Sequence, residues 1–269
     1  MASKEKSIFH HMTYKQAIAC LCFIGGFVDS AGYVMLYELF TASITGNIVA
    51  ATIPIWRVEP GFSARAIVVL SIGLGAGCVT MYSMKLRFAT TMNKWEIGLR
   101  LFACELVALI ITMIVGLCLN FPAIDSTTVF IQAGLMAFSM GVQNGAAMVL
   151  IPNCPPTTAM TGNTVRFYIY GAEALNFWLA SHNYVELYPA TGKPQDYDQK
   201  MQKNARELAL KFRIFLMSLG PFTVGAIFGV PCAYNMGMAC LVIPMLIVSW
   251  ILYCIWKGLE AQRVESIAN

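Results

Sequence analysis

The chain carries TASITGN at Thr41 to Asn47 and TTAMTGN at Thr157 to Asn163, 116 positions apart. Each follows a long apolar run, in surroundings where polar residues are costly. The likeness extends upstream. GFVDSAG, Gly26 to Gly32, precedes the first copy, and GVQNGAA, Gly141 to Ala147, precedes the second. Asp29 pairs with Asn144 and Asn47 with Asn163. Self-similarity of this kind marks an internal repeat. Downstream, GLGAG (Gly73 and Gly77 four apart) matches GAIFG (Gly225 and Gly229 four apart). Small residues at that spacing let membrane helices approach closely.

The rest of the chain explains those surroundings. Of its 269 residues, 58% are hydrophobic and 12% are charged, where a soluble domain carries about 25% charged residues. Apolar runs at 16–36, 64–84, 97–119, 127–150, 212–234 and 237–256 approach or exceed the roughly 20 residues that span a bilayer. The expected fold is an all-α integral membrane protein of about six transmembrane helices. Two broken or re-entrant TGN segments complete it. Residues 1–126 form the first repeat and 127–269 the second. Three spans per half is an odd number, so the second repeat should be inverted.

Lysine and arginine set the orientation. With re-entrant TGN segments and the N-terminus inside, Lys4, Lys6, Lys15, Lys85, Arg87, Lys94, six residues from Lys193 to Arg213, Lys257 and Arg263 face the cytoplasm, against Arg57 and Arg65 outside. Full crossings by the TGN segments would move Lys85, Arg87 and Lys94 outside. Both termini are therefore expected in the cytoplasm, in a plasma or organelle membrane. MASKEKSIFHHMTYK is followed by no small-residue cleavage site, so no removable signal peptide is expected. The polar connection 181–211 should hold a surface helix near Gln199 to Phe212.

Cys20, Cys22, Cys78, Cys104, Cys118, Cys240 and Cys254 lie within the apolar runs, with Cys232 near the end of one. There cysteine acts as a small apolar residue. His10, His11 and His182 lie outside the runs. Neither a metal site nor a disulfide framework is expected, and no cofactor. Trp56, Trp95, Trp178, Trp250 and Trp256 fall near span ends and suit interfacial anchoring. No basic, aromatic-laced patch points to nucleic acid.

Polar groups within spans need a partner or a function. Asp29, Ser30, Gln143 and Asn144 either hold the bundle together or bind a solute. Asp29 is the strongest functional candidate because it ionises. Glu105, in the third span, is a second candidate for proton or ion coupling, unless it pairs with Arg100. Gly46 and Gly162 permit helix breaks. Asn47 and Asn163 suit helix N-caps, and Thr45 and Thr161 suit bonding to freed backbone groups. Such breaks form midplane substrate sites in transporters with inverted repeats. Arg166, where the first copy has Ala50, would attract an anion to a helix start, unless it pairs internally with Glu173, Asp29 or Glu105.

The motifs GFVDSAGY, ITGNIV, MGVQNGA and TTAMTGN resemble those of the YoaK-like family, over nearly the whole chain. That is a family of unknown function found in bacteria, fungi and other eukaryotes. The resemblance implies a multi-spanning membrane protein and supplies no substrate. The insert at 181–211 is longer than a compact bacterial member would have.

The expected function is a small-solute secondary transporter or permease. Its substrate site would comprise Asp29, Ser30, Thr45, Gly46, Asn47, Gln143, Asn144, Thr161, Gly162, Asn163 and Arg166. The alternative is a non-transporting scaffold or assembly factor. The lipid bilayer is the expected surrounding partner, with a homo-oligomer through the glycine-faced helices as a further one. No enzyme motif is present: there is no HExxH, no Ser–His pair and no phosphate-cradling loop.

Overall fold

A computed structural model describes residues 11–89, 92–152, 154–187 and 195–268. Lys4, Lys6, His10 and Lys193, used in the sequence reading, lie outside them. Among the described residues the chain forms eight α-helices: α1 Tyr14–Met35, α2 Ile44–Arg57, α3 Phe62–Ala89, α4 Lys94–Cys118, α5 Thr127–Leu150, α6 Met160–Ser181, α7 Tyr197–Met236 and α8 Val242–Ala268. Five helical runs are long and apolar enough to cross a membrane. The last, Tyr197–Val264, contains both α7 and α8, separated by a 3-10 turn, Gly237–Leu241. The chain is thus a multi-pass membrane protein.

Polar caps start several helices. Thr13 and Asn93 each form a capping box, with Gln16 and Glu96. The Ser126 hydroxyl accepts from the Val129 amide at 3.3 Å. Each cap satisfies amides that the helix leaves open. The expected surface helix leads directly into the following span. It is the first part of α7, a single helix of 40 residues. Its start docks on α6 through Tyr197, Met201, Phe177 and Ala180.

The core lies along α1 and α5, which bury Leu21, Ile24, Phe27 and Val28, and Ala133, Met136 and Met140. Each of the two is crossed closely by another helix. On α1, a Cβ added at Gly26 would overlap the Phe222 carbonyl of α7, and one at Gly225 would overlap the Phe23 carbonyl. On α5, a Cβ at Gly141 would overlap the Ile72 carbonyl of α3, and one at Gly75 the Phe138 carbonyl. The two crossings match residue for residue: Phe23 with Phe138, Gly26 with Gly141, Ile72 with Phe222, Gly75 with Gly225.

This corrects the sequence alignment of the glycines by two positions. Gly75, not Gly73 or Gly77, is the counterpart of Gly225. Nothing lies within 4 Å of a Cβ at Gly73 or Gly77. Three glycines at alternate positions made the choice ambiguous, and the register against Gly141 settles it.

Trp95 is also corrected. It is buried, not interfacial, because its ring lies against Gly258 of α8. Trp56, Trp178, Trp250 and Trp256 are exposed.

Candidate functional site

The chain turns back twice, at 36–43 and at 151–159, before α2 and α6. Tyr37 and Glu38 reverse the first turn with positive φ angles of 55° and 61°. Pro152, Pro155 and Pro156 hold the second out of a helix. TGN itself is therefore not the break. Ile44 and Met160 begin the helices, so both TGN triplets lie in the first turn. Gly46 and Gly162 are helical and use no special backbone conformation.

Asn47 and Asn163 are not N-caps. Ser43 and Ala159 hold those positions, neither with a side-chain bond. The two asparagines instead reach back seven residues. Asn47 Nδ2 donates to the carbonyls of Phe40 and Ser43. Asn163 Nδ2 donates to the Pro156 carbonyl at 2.9 Å. Each ties the first turn of its helix to the strap before it.

The motif helices hold the same straps from the other side. The Ala42 amide donates to Asp29 Oδ1 at 2.7 Å, and the Thr41 hydroxyl donates to the Val28 carbonyl at 3.0 Å. In the second half the Thr157 amide and hydroxyl donate to Asn144 Oδ1 at 2.9 and 2.8 Å. Asn144 Nδ2 donates to the Thr158 hydroxyl at 2.7 Å. Gln143 Nε2 donates to the Thr157 hydroxyl and to the Leu21 carbonyl of α1, both at 2.9 Å. Buried backbone groups outside a helix must find such partners.

The tips of both straps border one cavity of about 330 Å³. Ser43, Ile44 and Thr45 enter it at the start of α2. Ala159, Met160, Thr161 and Gly162 enter from α6, and α3 adds Ile72, Gly73 and Ala76. Asn144 reaches it from α5.

Of the expected site residues, Thr45, Asn144, Thr161 and Gly162 thus line the cavity. Asp29, Asn47, Gln143 and Asn163 are buried behind it and hold the straps. Gly46 faces the Phe40 ring, where a Cβ would come within 3.0 Å. Ser30 is spent elsewhere: its hydroxyl donates to the Phe27 carbonyl and lies where a Cβ on Gly229 would fall. Thr45 and Thr161 make no side-chain hydrogen bond among the described residues, so they do not serve the freed backbone as expected. Sequence reasoning missed Gly73 as a cavity wall.

Arg166 does not line the cavity. Its guanidinium lies 5.9 Å from the centre of the Phe215 ring on α7, a cation–π distance. It forms no ion pair with Glu173, Asp29 or Glu105 among the described residues. Nor is the first half without a counterpart. Counted from the crossings, Phe215 corresponds to Arg65, and Arg65 and Ala50 border a common cavity. At these matched positions each pair of helices thus carries one arginine, on opposite members.

Glu105 is fully buried, and neither of its carboxylate oxygens has a hydrogen-bond partner among the described residues. The Arg100 pairing is therefore absent. Gln143 Oε1 and Gln132 Oε1 are likewise buried without partners.

A family model described as "Protein of unknown function (DUF1275)" matches residues 17–254. The chain belongs to that family. No curated protein matches it, and no solved structure does.

Proposed function

We propose that the chain is a small-solute permease or secondary transporter whose solute occupies the cavity between the two strap tips. One observation carries this reading: both TGN segments, one from each half, border the same cavity. Paired helix starts from the two halves of a repeat, meeting at one space, are how repeat-built transporters hold solutes; here Ser43, Thr45, Asn144, Thr158 and Thr161 are the polar groups in a largely apolar wall.

The contacts also suggest how such a site would open. Helices α1, α6 and α7 form one group, and α5, α2 and α3 form another. Asp29 lies in the first group and holds the strap leading to α2. Asn144 lies in the second and holds the strap leading to α6. In this reading the repeats are inverted, both termini are cytoplasmic, and rocking of one group against the other exposes the cavity alternately. Asp29 and Glu105 are its candidates for proton or ion coupling, since a carboxyl in the bilayer needs a partner or a proton. The scaffold alternative loses part of its basis, because Gly225 and Gly229 are occupied by α1 within the chain, while Gly73 and Gly77 meet nothing.

The test is uptake of a broad metabolite panel into proteoliposomes at two pH values. We expect at least one solute to enter with the wild type and to be blocked by Gly73→Leu, which fills the cavity without meeting the core. Asp29→Asn should keep the fold and lose the pH response. Uptake of no solute by folded wild-type protein, or undiminished uptake by Gly73→Leu, would overturn the proposal.

A further inference from the structure

A second cavity, of about 730 Å³, opens where α1 ends and α3 begins. Its wall holds three tyrosines, Tyr33, Tyr37 and Tyr234, two carboxylates, Glu38 and Glu59, and one guanidinium, Arg65. Its rim is tied at two points. The Tyr37 hydroxyl donates to the Phe121 carbonyl at 2.6 Å. The Gly61 amide donates to both oxygens of Asp125 at 3.0 Å.

The charges are not spent on one another. Arg65 Nη1 donates to the Gly61 carbonyl at 3.1 Å; among the described residues its Nη2 makes no hydrogen bond and its buried Nε has no partner. Neither Glu38 nor Glu59 forms an ion pair with it among the described residues. A guanidinium offers five donors, and a buried donor left unmade is costly. The wall therefore presents an unsatisfied cation, two free carboxylates and aromatic faces together.

We propose that this vestibule binds a small zwitterion, with its carboxylate on Arg65 and its ammonium between Glu38 and Glu59. A pure cation would leave Arg65 unpaired, and a pure anion would meet two carboxylates. A zwitterion satisfies both signs, and charge-assisted bonds are the strong ones. The tyrosine faces add attraction for the ammonium. The volume is that of a small-molecule site. This site shares no lining residue with the central cavity and stands whether or not the chain transports.

The test uses the full chain in lipid nanodiscs, titrated with the twenty amino acids and glycine betaine. For each binder, the matched amine and the matched acid, lacking one charged group, are titrated too. We expect a zwitterion to bind, and both truncated analogues to bind about tenfold or more weakly. Arg65→Gln should weaken the zwitterion by a similar factor and leave the matched amine unchanged. Glu38→Gln, at an exposed position, should weaken the zwitterion and spare the matched acid. Gly73→Leu should change nothing. The proposal fails if no zwitterion binds, if the matched amine binds as tightly, or if Gly73→Leu abolishes binding that Arg65→Gln and Glu38→Gln leave intact.

Discussion

Asp29 and Asn144 occupy matching positions, and each accepts from the amide of a strap about 13 residues on. Only one of them ionises. The second half therefore answers a question about the first: a carboxamide oxygen is enough to hold a strap. Asp29→Asn should leave the unfolding midpoint in detergent nearly unchanged. Asp29→Leu leaves the Ala42 amide unmade and should cost about 1–3 kcal/mol. If Asp29→Asn were as damaging as Asp29→Leu, the charge itself would be structural. Glu105 gives the opposite case. Its oxygens bond nothing among the described residues, and burying an unpaired polar group is costly. Glu105→Met should therefore keep or raise thermal stability. Lost uptake in that same variant would mark a residue retained for function at the expense of stability.

At the scale of helices, backbone contact decides which glycines matter. Gly26→Leu and Gly141→Leu would drive side chains into the Phe222 and Ile72 carbonyls. Each should cost at least about 1–3 kcal/mol, as overpacking does, read as lost monodisperse protein on size exclusion. Gly162→Ala is predicted to go the other way. Gly162 is helical and a Cβ there meets nothing, so alanine should stabilise α6 by about 0.5–1 kcal/mol, seen as a raised unfolding midpoint. A loss would restore the helix-breaking role that TGN suggests in the sequence. The apolar runs and the paired motifs were legible because hydropathy and duplication are local patterns. The crossings were not, since Gly73, Gly75 and Gly77 differ only in the face they present. The straps were hidden for a similar reason. A bond from Asp29 to Ala42 exists only once the chain has folded back on α1, and no helical spacing encodes it. Arg65 escaped notice because its match to Phe215 depends on the same crossing register.

The whole molecule decides whether the TGN segments cross the bilayer or enter and return. Helix α2 has 14 residues, about 21 Å of helix, against a hydrocarbon core of about 30 Å. It begins beside Asp29, inside the bundle, so a re-entrant course would need only a climb back. A second contact bears on the same point. Arg263 near the end of α8 lies 3.9 Å from Glu96 at the start of α4. If both TGN segments crossed fully, those residues would sit on opposite sides of the membrane. Re-entrant segments put them on one side, together with Lys85, Arg87 and Lys94. The Gly61–Asp125 and Tyr37–Phe121 bonds gather the other end of the bundle. Labelling with a membrane-impermeant thiol reagent tests this in variants whose nine native cysteines are replaced. Glu59→Cys should react in intact cells. Glu96→Cys and Arg263→Cys should react only after permeabilisation, and both alike. Reaction of Glu96→Cys in intact cells with Arg263→Cys protected would mean full crossings. It would also place both straps at the outer face rather than entering from opposite sides, and so remove the midplane cavity from the mechanism.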